Sequence, residues 1–287
     1  MNSTFYMERS GTMKKAKVTK INETTYRFTE AAFGTDVYMY LLIGEKSALL
    51  IDTAYGFTDV PSAIKKITDL PLTVVNTHGH MDHIHGNHFY DQVHVSEADS
   101  AVFERHCNAS YLMSLVEQVA EENRIPKILL KLPMLNVKGV VTSYPSVRVP
   151  LPEQMYFELG NRRVEILPTP GHTAGSVCFL DVDNHWLFAG DTACHDGVLL
   201  NFPESTNVAV FRESIQKLIA LAEEGKIHTL YPSHQDTPQS VDLLYTYKDA
   251  CDMILSNSIS KEEFDAGSFT YHGLTVRFDN QRIGGKQ

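Results

Sequence analysis

Six consecutive residues collect the side-chain types that bind metal ions: His78-Gly79-His80-Met81-Asp82-His83. They follow an apolar run, residues 72–75, that is typical of a buried strand. Polar groups left unpaired at the end of such a strand would cost about 1–3 kcal/mol each. A bound metal removes that cost, because neutral imidazole and carboxylate are ligands that suit zinc, iron or manganese. The hexapeptide therefore predicts a metal site.

Three further positions repeat the same arrangement of an apolar run, a turn and then a His or Asp. His172 follows the strand-like run 163–167, Asp191 ends the run 187–191, and His234 ends the run 227–234. Some clustering is expected by chance among 13 histidines, but chance does not account for four matching settings. Ligands from several strand ends can converge at one edge of a sheet, so we expect these side chains to form one site.

The order and type of these residues resemble the metallo-β-lactamase-fold superfamily of metallohydrolases, from about Val37 to His234. The resemblance implies two divalent metal ions, with zinc as the first choice and iron or manganese as alternatives. It also implies three ligands for each ion and one shared carboxylate: His78, His80 and His172 for the first metal, Asp82, His83 and His234 for the second, and Asp191 as the bridge. The bridging Asp191 favours the dinuclear branch that includes lactonases and glyoxalase II.

The activity that this resemblance implies is hydrolysis of a small ester, thioester or lactone by a metal-bridging hydroxide. Two metal ions about 3.5–4 Å apart can share a water, lower its pKa and polarise a carbonyl oxygen. Asp82 is predicted as the catalytic residue, a metal ligand that also orients the nucleophile and shuttles a proton. Two alternatives stay open: a phosphodiesterase of the same fold, and a catalytically silent regulatory protein that binds metal or a ligand.

Other polar residues near these motifs have competing interpretations. His195 lies four residues after Asp191, in a loop expected to border the substrate cleft, and is a candidate substrate contact. Asp52 could orient a ligand histidine through a hydrogen bond or could cap the turn that follows it. The remaining nearby histidines are predicted to be structural, namely His85, His88 and His94.

Composition narrows the partners of this chain. A net charge of −10 over 287 residues disfavours a polyanionic partner such as nucleic acid. The four cysteines lack paired spacing, which favours reduced thiols and a cytoplasmic location. The sequence has no signal-peptide core and no run of about 20 apolar residues, so no membrane partner is expected. The expected partner is a small-molecule substrate, and a homodimer stays open.

Strand-like and helix-like runs alternate in two halves that each supply ligands. The patterns predict a hairpin over 37–51, helices over 61–69 and 241–254, and a strand pair or an edge strand over 269–278. This is the α/β class, and the resemblance implies an αββα four-layer sandwich with two sheets face to face. We expect residues 1–287 to form a single metallo-β-lactamase-fold domain with a helical insertion at 97–150.

The segment 125–135 of that insertion is apolar and contains two prolines. It has two interpretations. It could extend the core or a dimer contact, or it could be a lid whose apolar wall suits acyl substrates.

Overall fold

Two large sheets dominate the computed structural model, which describes residues 14–32, 34–108, 110–112, 114, 117, 121 and 147–284. The first sheet has seven strands in the order β2-β3-β4-β5-β7-β8-β9. A short parallel pair, β1 with β6, lies apart from it. The elements are β1 (Lys14–Lys15), β2 (Lys17–Asn22), β3 (Thr25–Ala32), β4 (Thr35–Ile43), β5 (Ala48–Ile51), β6 (Thr58–Asp59), α1 (Val60–Lys65), β7 (Leu72–Val75), α2 (Met81–Ile84), β8 (Gln92–Val95), α3 (Ser100–His106) and β9 (Val147–Pro150), with 3₁₀ turns at His85–Phe89 and Glu97–Asp99.

The second sheet has six strands in the order β10-β11-β12-β13-β15-β16, and a three-stranded sheet, β14-β18-β17, lies beside it. Strands β13 and β15 are parallel, with the long helix α4 between them in sequence. The elements are β10 (Tyr156–Glu158), β11 (Arg163–Pro168), β12 (Val177–Asp181), β13 (Trp186–Gly190), β14 (Gly197–Leu200), α4 (Val208–Glu223), β15 (Thr229–Pro232), β16 (Gln239–Ser240), α5 (Asp242–Leu255), α6 (Lys261–Ala266), β17 (Ser268–Tyr271) and β18 (Leu274–Phe278).

Strand β4 shows how the layers arise, because successive side chains of a strand point to opposite faces. Met39 and Leu41 pack in a core that includes Phe103 of α3. Tyr40 points to the other face and belongs to a core shared with Phe188 of the second sheet. Both faces of the first sheet are therefore buried, one by helices and one by the second sheet.

The second sheet repeats this division. Phe179 of β12 faces the first sheet, whereas Leu180 faces a third core that contains Phe211 of α4 and Tyr247 of α5. The order of layers is helix, sheet, sheet, helix. The predicted αββα sandwich is confirmed.

A buried ion pair ties the edges of the two sheets together. Arg162, 4% exposed, donates to Asp181 Oδ2 in the second sheet. The same guanidinium donates to the carbonyl oxygens of Thr24 and Ile43 and to Thr25 Oγ1 in the first sheet. These contacts satisfy a buried charge and fix how the sheets face each other.

Most predicted elements agree with the structure. The hairpin over 37–51 is β4 and β5, the helix over 241–254 is α5, and the strand pair over 269–278 is β17 and β18. The predicted helix over 61–69 is shorter, since α1 ends at Lys65. The backbone N–H groups of Ile67 and Thr68 both bond to Ile64 O, which closes the last turn before the chain enters β7.

The predicted insertion at 97–150 begins with a 3₁₀ turn and α3. The described positions among 110–121 are helical, and Leu112 is buried there. Segment 125–135, with its two interpretations, lies outside the described residues.

Two further predictions concern the redox state of the cysteines and membrane-spanning segments. Cys178, Cys194 and Cys251 are buried free thiols. In the described part of the chain, none of the helices combines the length and the apolar character that crossing a membrane requires.

One carboxyl group should make stability depend on pH. Burial raises the pKa of Glu30 from 4.5 to about 7, although Thr58 Oγ1 and Phe57 N donate to it. The folded state therefore binds this proton more tightly than the unfolded state, and stability falls as pH rises from 4.5 to 7. Glu30→Gln should remove a cost on the order of 3 kcal/mol above pH 7. Thermal unfolding at several pH values would measure this.

The matched control is Glu262→Gln at an exposed position, which should leave the unfolding temperature unchanged. The gain from Glu30→Gln should shrink to nothing near pH 4.5. A gain that is equal at all pH values would show that ionisation of Glu30 is not its cause.

Candidate metal centre

The loops that carry the predicted ligands begin where strands of both sheets end. His78 to His83 follow β7 of the first sheet and run into the short helix α2. In the second sheet, His172 follows β11, Asp191 follows β13 and His234 follows β15. The structure brings all seven predicted ligands together at this edge.

The first group of donors is His78, His80 and His172, all buried. Their nitrogens lie within 4.8 Å of one another, and His80 Nδ1 is 2.8 Å from His172 Nε2. The second group is Asp82, His83 and His234. These are the two ligand sets predicted for two metals.

Asp191 lies between the two groups. Its Oδ2 is 3.5 Å from His172 Nε2 in the first group. Its Oδ1 is 3.4 Å from His83 Nε2 and 3.4 Å from His234 Nε2 in the second. One carboxylate thus faces both groups with different oxygens, as a bridging ligand requires.

The far nitrogens of four of the five histidines have partners that fix where their protons lie. His172 Nδ1 donates to Leu199 O, and His234 Nδ1 donates to Asp36 O, both at 2.8 Å. His83 Nδ1 donates to Asp52 Oδ2 at 2.9 Å. His80 is reversed, because its Nε2 lies 3.1 Å from Glu204 Oε1 and its Nδ1 faces inward.

The hydrogen bonds of the ring nitrogens show whether the donor set fits metal ions. With protons directed outward, the facing nitrogens of His80 and His172 both present lone pairs at 2.8 Å, and two lone pairs repel. His83 Nε2 and His234 Nε2 face each other at 3.3 Å, with Asp82 and Asp191 beside them. Among the described residues, His78 Nε2 is buried and has no hydrogen-bond partner. A cation resolves each of these contacts, so the donor set fits two divalent metal ions.

Electrostatics keep two rings of the first group, His78 and His172, neutral. Burial, together with the neighbouring imidazoles of His83 and His80, holds the pKa of His78 well below its ordinary value. Burial and His80 lower the pKa of His172 to about 4. Near neutral pH these rings therefore carry lone pairs that are ready for a metal.

The second group behaves differently because it contains carboxylates. Burial alone would lower the pKa of His234, but Asp191 and Asp82 outweigh burial and raise it to about 9. The pKa of His83 is held well above its ordinary value by Asp191 and Asp82 against the same effect of burial. Before metal binds, protons occupy the positions that the second ion would take.

Asp52 supports the ligand loop from beneath. Besides His83, it accepts hydrogen bonds from the backbone N and the hydroxyl of Thr77, both at 2.8 Å. Thr77 Oγ1 is in turn 3.0 Å from His78 Nδ1. Of the two interpretations of Asp52, the hydrogen bond to a ligand histidine is the one observed.

A glycine allows the bridge to approach this support. Gly190, with φ of +53°, ends β13 directly before Asp191. A Cβ atom at this position would come within 2.8 Å of Thr77 Cβ. Gly190 therefore permits both the turn and the close contact between the two sheets.

Asp99, which sequence reasoning missed, joins two ligand loops. This fully buried carboxylate accepts from Gly79 N at 2.8 Å in the first loop. It also accepts from Thr173 Oγ1 and Gly175 N in the loop of His172, at 2.8 and 2.7 Å. Glu204 and His106 beside His80 were missed as well. The one available signal for these residues was a charged or imidazole side chain within an otherwise buried stretch.

The other predicted residues lie apart from the donor groups. His195 is half-exposed and donates through Nδ1 to Asp196 Oδ1 at 2.7 Å, so its substrate contact stays a prediction. His85 donates to His106 O, His88 to His85 O and His94 to Pro150 O. These three make structural hydrogen bonds, as predicted.

Comparison with known families identifies the class. Residues 32–234, more than two thirds of the chain, match the family described as the metallo-beta-lactamase superfamily. The chain belongs to this superfamily and is a metal-dependent hydrolase by class. The predicted family and the divalent metal cofactor are confirmed at this level.

Individual proteins refine the comparison. The chain is 28% identical to the acyl-coenzyme A thioesterase MBLAC2 of Gallus gallus over 219 residues, which cover 72% of this chain and 75% of that protein. It is 29% identical to a hydroxyacylglutathione hydrolase of Brucella anthropi over 213 residues, which cover 74% of this chain and 66% of that protein. A metallo-beta-lactamase from Pontibacter korlensis has the same fold, with a TM-score of 0.57 at 19% identity over 82% of this chain and 98% of that one.

Removing the bridge should affect both metals. Asp191→Ala deletes a contact to each donor group and a negative charge between two dications. We expect metal content to fall from about two ions per chain to fewer than one, with loss of turnover. Elemental analysis after reloading with zinc measures this. Asp249→Ala, at an exposed position of α5, should keep both ions, and full occupancy with activity in Asp191→Ala would contradict the bridge.

The two metals should also differ in their dependence on pH. The second ion has to displace protons from His83 and His234, whereas His78 and His172 of the first group are already neutral. Lowering the pH from about 9 to about 6 should therefore weaken the second affinity much more than the first. Zinc titrations in buffers that set the free zinc concentration at each step would measure both affinities at each pH. Simultaneous loss of the two ions as pH falls would contradict this assignment.

Proposed function

We propose that this protein hydrolyses a small thioester at the two-metal centre, with esters and lactones as related substrates. The observation that carries the proposal is the position of Asp191, whose two oxygens face the two donor groups. Such a site needs no serine or cysteine nucleophile. The similarity to a protein named acyl-coenzyme A thioesterase supports the thioester as first choice.

When bound, two divalent ions supply a water of lowered pKa and polarise the substrate carbonyl oxygen. The residues of this chain orient the ions, the water and the substrate. His80 and His172 border one side of Asp191, and His83 and His234 the other. Asp82 Oδ2, 3.3 Å from His234 Nε2, is placed to accept a hydrogen bond from the attacking water.

The ionisation of the carboxylates favours a thiolate as leaving group. Although burial opposes it, the imidazoles of His83 and His234 hold the pKa of Asp82 well below its ordinary value. Burial opposes ionisation of Asp191 as well, and His234 and His83 lower its pKa in the same way. Neither carboxyl group is then a proton donor near neutral pH. A thiol has a pKa of about 8.5, so a thiolate can depart without the strong general acid that an alkoxide requires.

Aromatic side chains lie beside the first donor group. The ring of Phe202 is 5.4 Å from the ring of His80 and 5.9 Å from that of His172. Tyr111 lies 5.1 Å from His106 in the same region. These rings offer an apolar surface suited to an acyl group.

The wider properties of the chain agree with a small substrate. The net charge of −10 disfavours a polyanionic partner. A single domain is part of the proposal, because both sheets supply ligands and share one core. The proposal also includes the seven donors as metal ligands and Asp82 as the catalytic residue.

A substrate panel tests this function. Zinc-loaded protein should hydrolyse acyl thioesters and p-nitrophenyl esters with a higher kcat/KM than lactones, because both release a weakly basic leaving group. Its kcat/KM for thioesters should exceed that for bis-p-nitrophenyl phosphate by more than about tenfold, which corresponds to about 1.4 kcal/mol in the transition state. Chelation should abolish all activity and added zinc should restore it.

Two outcomes would contradict the proposal. Preferential turnover of bis-p-nitrophenyl phosphate would favour the phosphodiesterase alternative. Absence of turnover on the whole panel with two bound zinc ions would favour the regulatory alternative.

A further inference from the structure

A second buried carboxylate lies behind the first donor group. Glu204 belongs to the loop between β14 and α4, and its side chain is 4% exposed. Three donors surround it: His80 Nε2 at 3.1 Å, His106 Nε2 at 3.4 Å and Arg105 Nη1 at 2.6 Å. A buried carboxylate with this many partners is a costly feature that the ligand set alone does not explain.

We propose that Glu204 is a positioning residue that holds His80 in the tautomer that binds the first metal through Nδ1. The inference rests on the proposed ligand role of His80. It assigns Glu204, His106 and Arg105 to the metal centre, although none of the three is itself a proposed ligand.

A neutral imidazole carries a single proton, on one of its two nitrogens. If His80 carried its proton on Nδ1, that proton would point at His172 Nε2, 2.8 Å away, which is a good hydrogen-bond distance. The two rings would then satisfy each other and neither nitrogen could bind metal. An ionised carboxylate can only accept, so Glu204 requires the proton on Nε2 of His80. Glu204 therefore selects against the self-paired arrangement.

Glu204 is itself fixed from two directions. His106 Nδ1 accepts from Met81 N at 3.2 Å, which leaves the proton of His106 on Nε2, facing Glu204. Arg105 binds the other carboxylate oxygen. The backbone oxygen of Glu204 accepts from Ala174 N, close to His172. Glu204 thus contacts His80 through its carboxylate and the loop of His172 through its backbone oxygen.

The second group has a matching arrangement. Asp52 accepts from His83 Nδ1 there, so each donor group contains one histidine that is backed by a buried carboxylate. Outer partners of this kind typically contribute 10–100-fold to metal affinity. Loss of Glu204 should therefore weaken the first metal and leave the second unchanged.

The test compares Glu204→Ala and Glu204→Gln with the exposed control Glu213→Ala in α4. Zinc titration against a competing chelator measures both affinities of each full-length protein. We expect Glu204→Ala to weaken one affinity by about 10–100-fold. Glu204→Gln, which keeps one accepting oxygen, should fall between Glu204→Ala and the wild type, and Glu213→Ala should match the wild type.

A spectroscopic readout separates positioning from folding. Ring ¹⁵N spectra of the metal-free protein should show His80 protonated at Nε2 in the wild type and a mixture of tautomers in the Glu204 variants. Unchanged affinities, equal loss of both metals, or an unchanged His80 tautomer would overturn the proposal. If Glu204→Ala does not fold, Glu204→Gln decides by the same criteria. A wild-type protein that binds fewer than two zinc ions would instead refute the ligand assignment.

Discussion

Repulsion between nitrogen lone pairs is the constraint on which the site depends. Four imidazoles form two facing pairs at 2.8 and 3.3 Å. In the pair of His80 and His172, acceptors outside the rings take the one proton of each imidazole, so the inner nitrogens present lone pairs to each other. In the pair of His83 and His234, protons occupy the inner nitrogens until a metal replaces them. Only a cation makes such an arrangement stable, and the affinity for metal is thus built into the hydrogen bonds around the ligands.

The fold maintains this unfavourable arrangement by joining the ligand loops to one another and to both sheets. Thr77 O accepts from Val177 N across the gap between the sheets, and Tyr38 N donates to Ser233 O beside His234. Asp99 joins the loops of His80 and His172. Residues that make these hydrogen bonds, such as Tyr38 and Val177, also pack in the core between the sheets. The loops therefore cannot move apart to relieve the repulsion.

The sequence predicted the ligands because they carry their own pattern. Four lie within six residues, and the others stand at the ends of apolar runs, where strands of one sheet finish together. The supporting residues have no such pattern. His80 and Glu204 are 124 positions apart, and Asp99 and Thr173 are 74 apart, so only the packed sheets bring them into contact. Asp52 has two interpretations from sequence for the same reason, because no pattern shows that it contacts His83, which lies 31 positions away.

Charge balance follows from the set of carboxylates around the metal centre. Among the described residues of these networks, five carboxylates and one guanidinium leave four net negative charges: Asp52, Asp82, Asp99, Asp191, Glu204 and Arg105. Two divalent ions would carry four positive charges and would match these side chains, and the hydroxide that the ions share would add one negative charge. In the metal-free protein, the protons on His83 and His234 offset part of the negative charge of this buried region.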